Sequence, residues 1–391
     1  MQNQALPDSP PIPKEQAMTL SQDVKIISAD DHLQEPPDLW STRLPKALRE
    51  RGPQVIRLPD GSDAWAVEGA PPRPFGILVS AATKAADRKD SGMTWADVPK
   101  GAWDADARVK DMDLDRIDAT FLYPNVGLDF FMGQVKLAPD LAPPVYRAYN
   151  DYLSEWCSTH RKRLFGIGLL PCDNVDEAVA ELKHIAKLPN IKGALIPTVP
   201  PVADWNDPRY EPLWQTAEDL GVVLSIHAGK PRGLPNRNDI YKMPGGAMIY
   251  MQLGRLSIIE SFGYLFWSGV FERHPNLKFV SVEGDIGWLP WFAERGESVI
   301  KRHGGWTGHK LEHPPGYWFG KSFFATFEED VAGLALRDKI GIDALMWASD
   351  YPHSATTWPE SVKCIEESFA GVPEAELKKI VHDNVARLYG I

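Results

Sequence analysis

The chain has little cysteine: three residues in 391, at Cys157, Cys172 and Cys364. None stands in a CxxC pair and an odd number cannot pair off completely, so neither a disulfide framework nor a thiolate zinc site is suggested. A dense block of Lys or Arg is also missing. With a formal charge of -11 the surface should repel phosphate backbones and anionic lipid, so nucleic acid and membranes are not expected partners. Met1 to Gln16 are polar and proline-rich, without the basic start and apolar segment of a secretory signal. The most apolar later stretch, Ser257 to Phe271, contains Glu260 and is too short to span a bilayer. A cytoplasmic protein is the expectation. No internal repeat is found.

What is present is enough apolar sequence, 43% of residues, to bury a large core, and both one long barrel and two ordinary domains fit the length. Residues 1–22 carry Pro7, Pro10, Pro11 and Pro13 among polar residues and read as an extended N-terminal arm. From 23 to 391 short apolar runs alternate with amphipathic stretches. The runs at 24–30, 118–123, 165–170, 191–197, 222–227, 277–283, 322–327 and 344–349 read as strands. Helices are expected at 104–116, 141–162, 174–187, 208–220, 255–269, 286–302, 330–340 and 358–369. Strand then helix, eight times, is the α/β pattern of a (β/α)8 TIM barrel. Near-continuous apolar runs such as Val222-Val223-Leu224-Ser225-Ile226 suit parallel strands covered on both faces.

Two connections are long. Residues 33–103 exceed one βα link and contain a turn signal, Pro59-Asp60-Gly61, then the alternating Ala64-Trp65-Ala66-Val67. They are expected to form a small β-rich lid inserted after the first strand. Residues 228–254 follow a candidate ligand strand and should line the site.

Three of the apolar runs end in metal-type side chains: the first at Asp30 and His32, the fifth at His227, the eighth at Asp350. Side chains two apart on a strand share a face, roughly 7 Å apart at Cα, so Asp30 and His32 can aim at one ion while Asp31 points away. Each alone has an ordinary structural explanation: a turn carboxylate, a hydrogen-bonded histidine, or, for Asp350, a helix cap. In a (β/α)8 barrel these ends converge on the face where active sites lie, so two imidazoles and two carboxylates would share one volume and suffice for a divalent metal.

The motifs Asp30-Asp31-His32 with Glu35-Pro36, Met112-Asp113 leading to Tyr123-Pro124, Ser225-Ile226-His227, His274-Pro275-Asn276-Leu277-Lys278, Trp347-Ala348-Ser349-Asp350-Tyr351-Pro352-His353 and Asn384-Val385-Ala386-Arg387-Leu388-Tyr389-Gly390 together resemble the amidohydrolase superfamily. The resemblance covers residues 24–391 and is to the amidohydrolase 2 branch, which includes aminocarboxymuconate semialdehyde decarboxylase. It implies metal ligation by the first-strand pair, His227 and Asp350, with Asp350 handling the proton of a metal-bound water. Many members have H-x-H on the first strand, and here Asp30 replaces the first His, which hardens the site and admits Mn2+ or Fe2+ beside Zn2+, the leading candidate. Many also carry a strand-six His, and here the stretch reads Glu283-Gly284-Asp285. Glu283 is therefore a candidate ligand of a second ion or a general acid/base. Its structural alternative is a carboxylate stabilised at a helix N-terminus.

The expected chemistry is hydrolysis, with metal-activated water attacking a carbonyl and Asp350 or Glu283 accepting its proton. The alternative is a carboxy-lyase in which the same ligands hold an ion against a substrate carboxylate. The missing strand-six His and the chain's length beside the aromatic-acid decarboxylases it resembles favour hydrolysis. For a small-molecule organic acid, Trp40, Arg43, Trp65 and Arg73 in the lid, Met248, Tyr250 and Arg255 in and after the long loop, and His353 are the expected contacts. Members of the family commonly form dimers, which makes a homodimer the expected assembly.

Overall fold

β-branched and aromatic runs set the strand positions, and polar turns separate them. The computed structural model describes residues 18–81, 83–131 and 137–391. In chain order the strands are β1 (Ile27–Leu33), β2 (Gln54–Arg57), β3 (Asp63–Ala66), β4 (Arg73–Pro74), β5 (Ala119–Pro124), β6 (Leu164–Leu169), β7 (Ile191–Ile196), β8 (Val223–His227), β9 (Phe279–Val282), β10 (Phe323–Phe327) and β11 (Leu345–Trp347). Eight of them form one sheet in the order β1-β5-β6-β7-β8-β9-β10-β11, with every neighbouring pair parallel. Residues just past β11 complete the ring: the Asp350 amide donates to Asp30 O at 2.9 Å and the His32 amide to Tyr351 O at 2.6 Å. This is the expected TIM barrel. Helices such as Ala142–Cys157, Val175–Ile185 and Glu211–Leu220 follow the strands and cover them.

β1 continues through Asp30, Asp31 and His32 to Leu33, all buried. Polar residues continue a buried strand only if their polar atoms are met, and Asp31 shows how. Its carboxylate accepts from Ser28 Oγ at 2.8 Å, Thr120 Oγ1 at 2.5 Å, Ser349 Oγ at 2.6 Å and the Tyr351 amide at 3.1 Å. One carboxylate thus ties β1 to β5 and to the residues closing the barrel. The pairing of β1 with β5 also slips between Ser28 and Asp31, a bulge of the kind that re-aims side chains beside active sites.

Between β1 and β5, β2, β3 and β4 form a separate antiparallel sheet. A chain of ring contacts from Trp40 through Trp65, Phe75 and Trp95 to Trp103, with centroids 5.5–6.4 Å apart, fills the space beneath it. The segment is seated at the mouth by the Ala81 amide on Pro352 O at 3.0 Å and Asn125 Nδ2 on Leu78 O at 3.2 Å. Of the expected arm, residues 1–17 lie outside the described residues, while Leu20 is buried in the core and its amide donates to Glu366 Oε1 at 2.8 Å. Among the described residues no helix is long and apolar enough to cross a membrane.

Candidate metal centre and active-site cavity

The C-terminal ends of β1, β8 and β11 bring Asp30, His32, His227 and Asp350 together. Asp30, His32 and His227 offer ligand atoms within 4.8 Å of one another, and His32, Asp350 and His353 form a second such group sharing His32. His32 Nε2 lies 3.5 Å from Asp30 Oδ1 and 3.2 Å from Asp350 Oδ1, and His227 Nε2 lies 3.6 Å from Asp30 Oδ2. The outer nitrogens are turned away: His32 Nδ1 sits 3.3 Å from Pro124 O and His227 Nδ1 3.1 Å from Ala228 O. Backbone acceptors of this kind fix the tautomer that leaves Nε2 bare toward an ion.

Whether these residues fit a metal is decided by their unmet polar atoms. Both oxygens of Asp30, Nε2 of His32, Nε2 of His227 and Oδ2 of Asp350 are buried without a directed hydrogen bond. Orphaned polar atoms cost about 1–3 kcal/mol each, and more when charged, so five converging on one point would be expensive without a cation. The donor set of two imidazoles and two carboxylates suits a divalent ion.

Electrostatics point the same way. Burial pushes the Asp30 carboxyl up to about 6, against the pull of His227. Burial also opposes a charge on His227, but Asp30 and Glu283 outweigh it and lift the imidazole to about 9. Asp350 is held below the usual carboxylate range because His353 and His32 overcome its burial. Burial, reinforced by His353, keeps His32 well below its ordinary value and so in the neutral form that ligates. The carboxylates therefore draw positive charge into the site.

Backbone strain marks the same spot. Asp350, Glu283 and Asp285 have φ of 57°, 54° and 53°, a left-handed conformation that non-glycine residues adopt rarely and that recurs at functional sites.

A cavity of about 310 Å³ opens above the cluster. His353, Tyr250 and Arg255 line it, as do Arg73 and Glu283. His353 stacks on His32 with centroids 3.7 Å apart, places Nδ1 2.8 Å from Asp350 Oδ1 and Nε2 2.8 Å from Asn125 Oδ1. Glu283 lies beside the cluster, in neither ligand group: Oε1 accepts from Arg255 Nη1 at 2.9 Å and Oε2 lies 3.6 Å from His227 Nδ1. Trp40 and Arg43 are elsewhere. Their short helix packs on Ala142–Cys157, where the Trp40 indole donates to Val145 O at 3.0 Å and Arg43 pairs with Glu155 at 2.5 Å. The connection 228–254 supplies Gly229, Arg237, Tyr250 and Met251 to the wall.

Sequence reasoning passed over Glu328. It follows β10 directly, is 6% exposed with Oε1 unpartnered, and burial, with Asp350 nearby, raises its carboxyl well above the ordinary value. The rule that singled out His227 and Asp350, a polar residue closing an apolar run, would have found it too.

The amidohydrolase family model matches residues 45–391. Gamma-resorcylate decarboxylase of Rhodococcus jostii is 26% identical over 311 residues, covering 73% of this chain and 87% of the relative. The 2-amino-3-carboxymuconate-6-semialdehyde decarboxylase of Dictyostelium discoideum is 25% identical over 262 residues, covering 67% of this chain and 70% of the relative. Among solved structures, a dihydroxybenzoic acid decarboxylase from Polaromonas sp. JS666, with bound manganese and the inhibitor 2-nitroresorcinol, shares the fold at a TM-score of 0.61 and 19% identity, covering 94% of this chain and 97% of that one. The expectation of hydrolysis is corrected by these relatives, which are decarboxylases. Its two supports, chain length and the missing strand-six His, do not bear on which bond breaks, because one ligand set can present an ion to water or to a carboxylate.

Proposed function

Because the chain belongs to the amidohydrolase family, we propose that it catalyses the metal-dependent, non-oxidative decarboxylation of an aromatic or unsaturated carboxylic acid. The observation that carries this reading is the placement of the orphaned ligand atoms of Asp30, His32, His227 and Asp350 beside a cavity that could take one ring, in a chain whose relatives are decarboxylases. When bound, a divalent ion supplies Lewis acidity toward the carboxylate and a neighbouring oxygen. The protein's own residues do the rest. Leu78, Leu128, Tyr250 and Met251 give an apolar wall against which a ring excludes water, and Arg255, fixed by Glu283, presents its guanidinium beside the carboxylate-binding end. As the C–COO bond breaks, the electron pair stays on the ring or vinyl carbon, CO2 leaves, and that carbon takes a proton. The proton is taken to come from His353 Nδ1, which Asp350 at 2.8 Å supports in its protonated form.

The metal is proposed to be Mn2+ or Zn2+, bound by the Asp30, His32, His227 and Asp350 side chains. A metal that binds only the folded chain stabilises it by about 2.7 kcal/mol at about 100 times its Kd. Adding Mn2+ or Zn2+ to chelator-stripped protein should therefore raise the melting temperature in a saturable way, and His227→Ala should lose that response. A melt insensitive to both metals would exclude the proposed site. For the reaction, metal-loaded protein is offered ortho-hydroxybenzoates, gamma-resorcylate among them, and amino-carboxy dienoic acids, with CO2 release as the readout. Turnover of at least one is expected, and no CO2 from any of them would overturn the proposal.

A further inference from the structure

At the opposite end of the barrel from the ligand cluster lies a second cavity, of about 640 Å³. It forms where strands begin. Lys25 precedes β1, Arg161, Lys162 and Arg163 precede β6, and Lys192 is the second residue of β7. Ile27, Ala119 and Phe165 give it an apolar floor, and the end of the chain, Ala386 to Ile391, forms one side. Its lining side chains carry five formal positive charges against one negative one, that of Asp118.

Most of that charge is uncompensated. Arg163 is engaged, donating to Asp113 Oδ1 at 2.5 Å, Asp118 O at 2.9 Å and Ile117 O at 2.7 Å. Asp118 is engaged too, accepting the Ile26 amide at 2.9 Å, and His382 is held by Asp383 at 2.8 Å. Lys25, Arg161, Lys162 and Lys192 make no ion pair with a carboxylate among the described residues. In a chain of net charge -11, with acidic side chains available nearly everywhere, four free cations around one concavity repel one another and concentrate anions there.

We infer that this cavity binds a small phosphorylated ligand carrying at least two negative charges. Guanidinium and ammonium donors suit phosphate oxygens. A singly charged carboxylate gains little in so open a cavity, where solvent screens each pair. The Phe165 ring is buried in the floor, stacked on Phe121 and covered by Lys192 Nζ 5.7 Å from its centroid, so the cations at the rim supply the recognition. The site is separate from the decarboxylation chemistry and does not depend on it.

Calorimetric titration of metal-loaded protein at low ionic strength tests this, with inorganic phosphate, pyrophosphate and phenyl phosphate as probes. One saturable site per chain is expected for pyrophosphate or phenyl phosphate. Tighter binding of phenyl phosphate than of inorganic phosphate would assign the site to a phosphate ester, and the reverse order to free phosphate. The double variant Arg161→Ala/Lys192→Ala, on exposed and half-exposed positions, should bind at least about tenfold more weakly while melting normally and releasing CO2 at the wild-type rate. Lys162→Glu should act in the same direction. Asp350→Asn, in the upper cavity, should bind the probes as the wild type does. Non-saturable uptake, affinity unchanged in the double variant, or binding lost in Asp350→Asn would each overturn the inference.

Discussion

Asp350→Asn should slow CO2 release by about 10²- to 10⁴-fold, the range a positioned proton-transfer group contributes, while the barrel folds as before. The fold should survive for two reasons. Asn has the shape of Asp and is among the few side chains that tolerate the left-handed backbone found here, φ 57°. The barrel-closing bond is made by the backbone, Asp350 N–H to Asp30 O at 2.9 Å, and is untouched by the substitution. What changes is the charge. The amide can neither keep a proton on His353 Nδ1 at 2.8 Å nor balance His32 Nε2 at 3.2 Å, and as a neutral ligand it binds a divalent ion more weakly. Rates measured at saturating metal, beside the metal content of the same samples, separate the two losses. A variant within tenfold of the wild type with metal bound would remove Asp350 from the chemistry.

How much of this was legible in the sequence differs by element. All eight barrel strands could be placed from apolar runs, because strands covered on both faces carry their burial in composition alone. Asp30, His32, His227 and Asp350 could be gathered because the topology sends strand ends to one face, so that a one-dimensional pattern implies a three-dimensional cluster. Trp40 and Arg43 show where this fails. Nothing local says whether a helix after β1 turns toward the mouth or, as here, packs on Ala142–Cys157. The bulge in β1 is equally invisible, since it depends on pairing with β5. The choice between hydrolysis and decarboxylation was out of reach for a chemical reason: both need the same ion, the same ligands and a nearby acid or base, and they differ in where the substrate carboxylate lies.

Asp31 was expected only to point away from the metal, and its structural role yields the largest predicted effect on stability. Asp31→Ala should cost several kcal/mol, because buried donors left without an acceptor cost about 1–3 kcal/mol each. The buried Arg108 guanidinium, which donates to Gly101 O at 2.7 Å and His32 O at 2.5 Å, lies within the field of the Asp31 charge. Without Asp31 it keeps Asp111, whose Oδ2 already accepts from Tyr351 OH at 2.7 Å. The substitution also strands the Thr120 and Ser349 hydroxyls and the Tyr351 amide inside the barrel seam. Ser28 has some relief, because its hydroxyl can donate instead to Asp30 O at 3.2 Å. Asp31→Asn keeps the shape and one acceptor oxygen, so it should lose less than Asp31→Ala, with Asp111 the carboxylate left near Arg108. Denaturant midpoints for the two variants measure this ordering. Because the same seam carries Asp30 and Asp350 on adjoining backbone, metal affinity should fall with stability, whereas a purely local cavity would weaken the fold and leave metal binding alone. A loss below about 1 kcal/mol in Asp31→Ala would mean that the seam is held by its backbone bonds and not by this carboxylate.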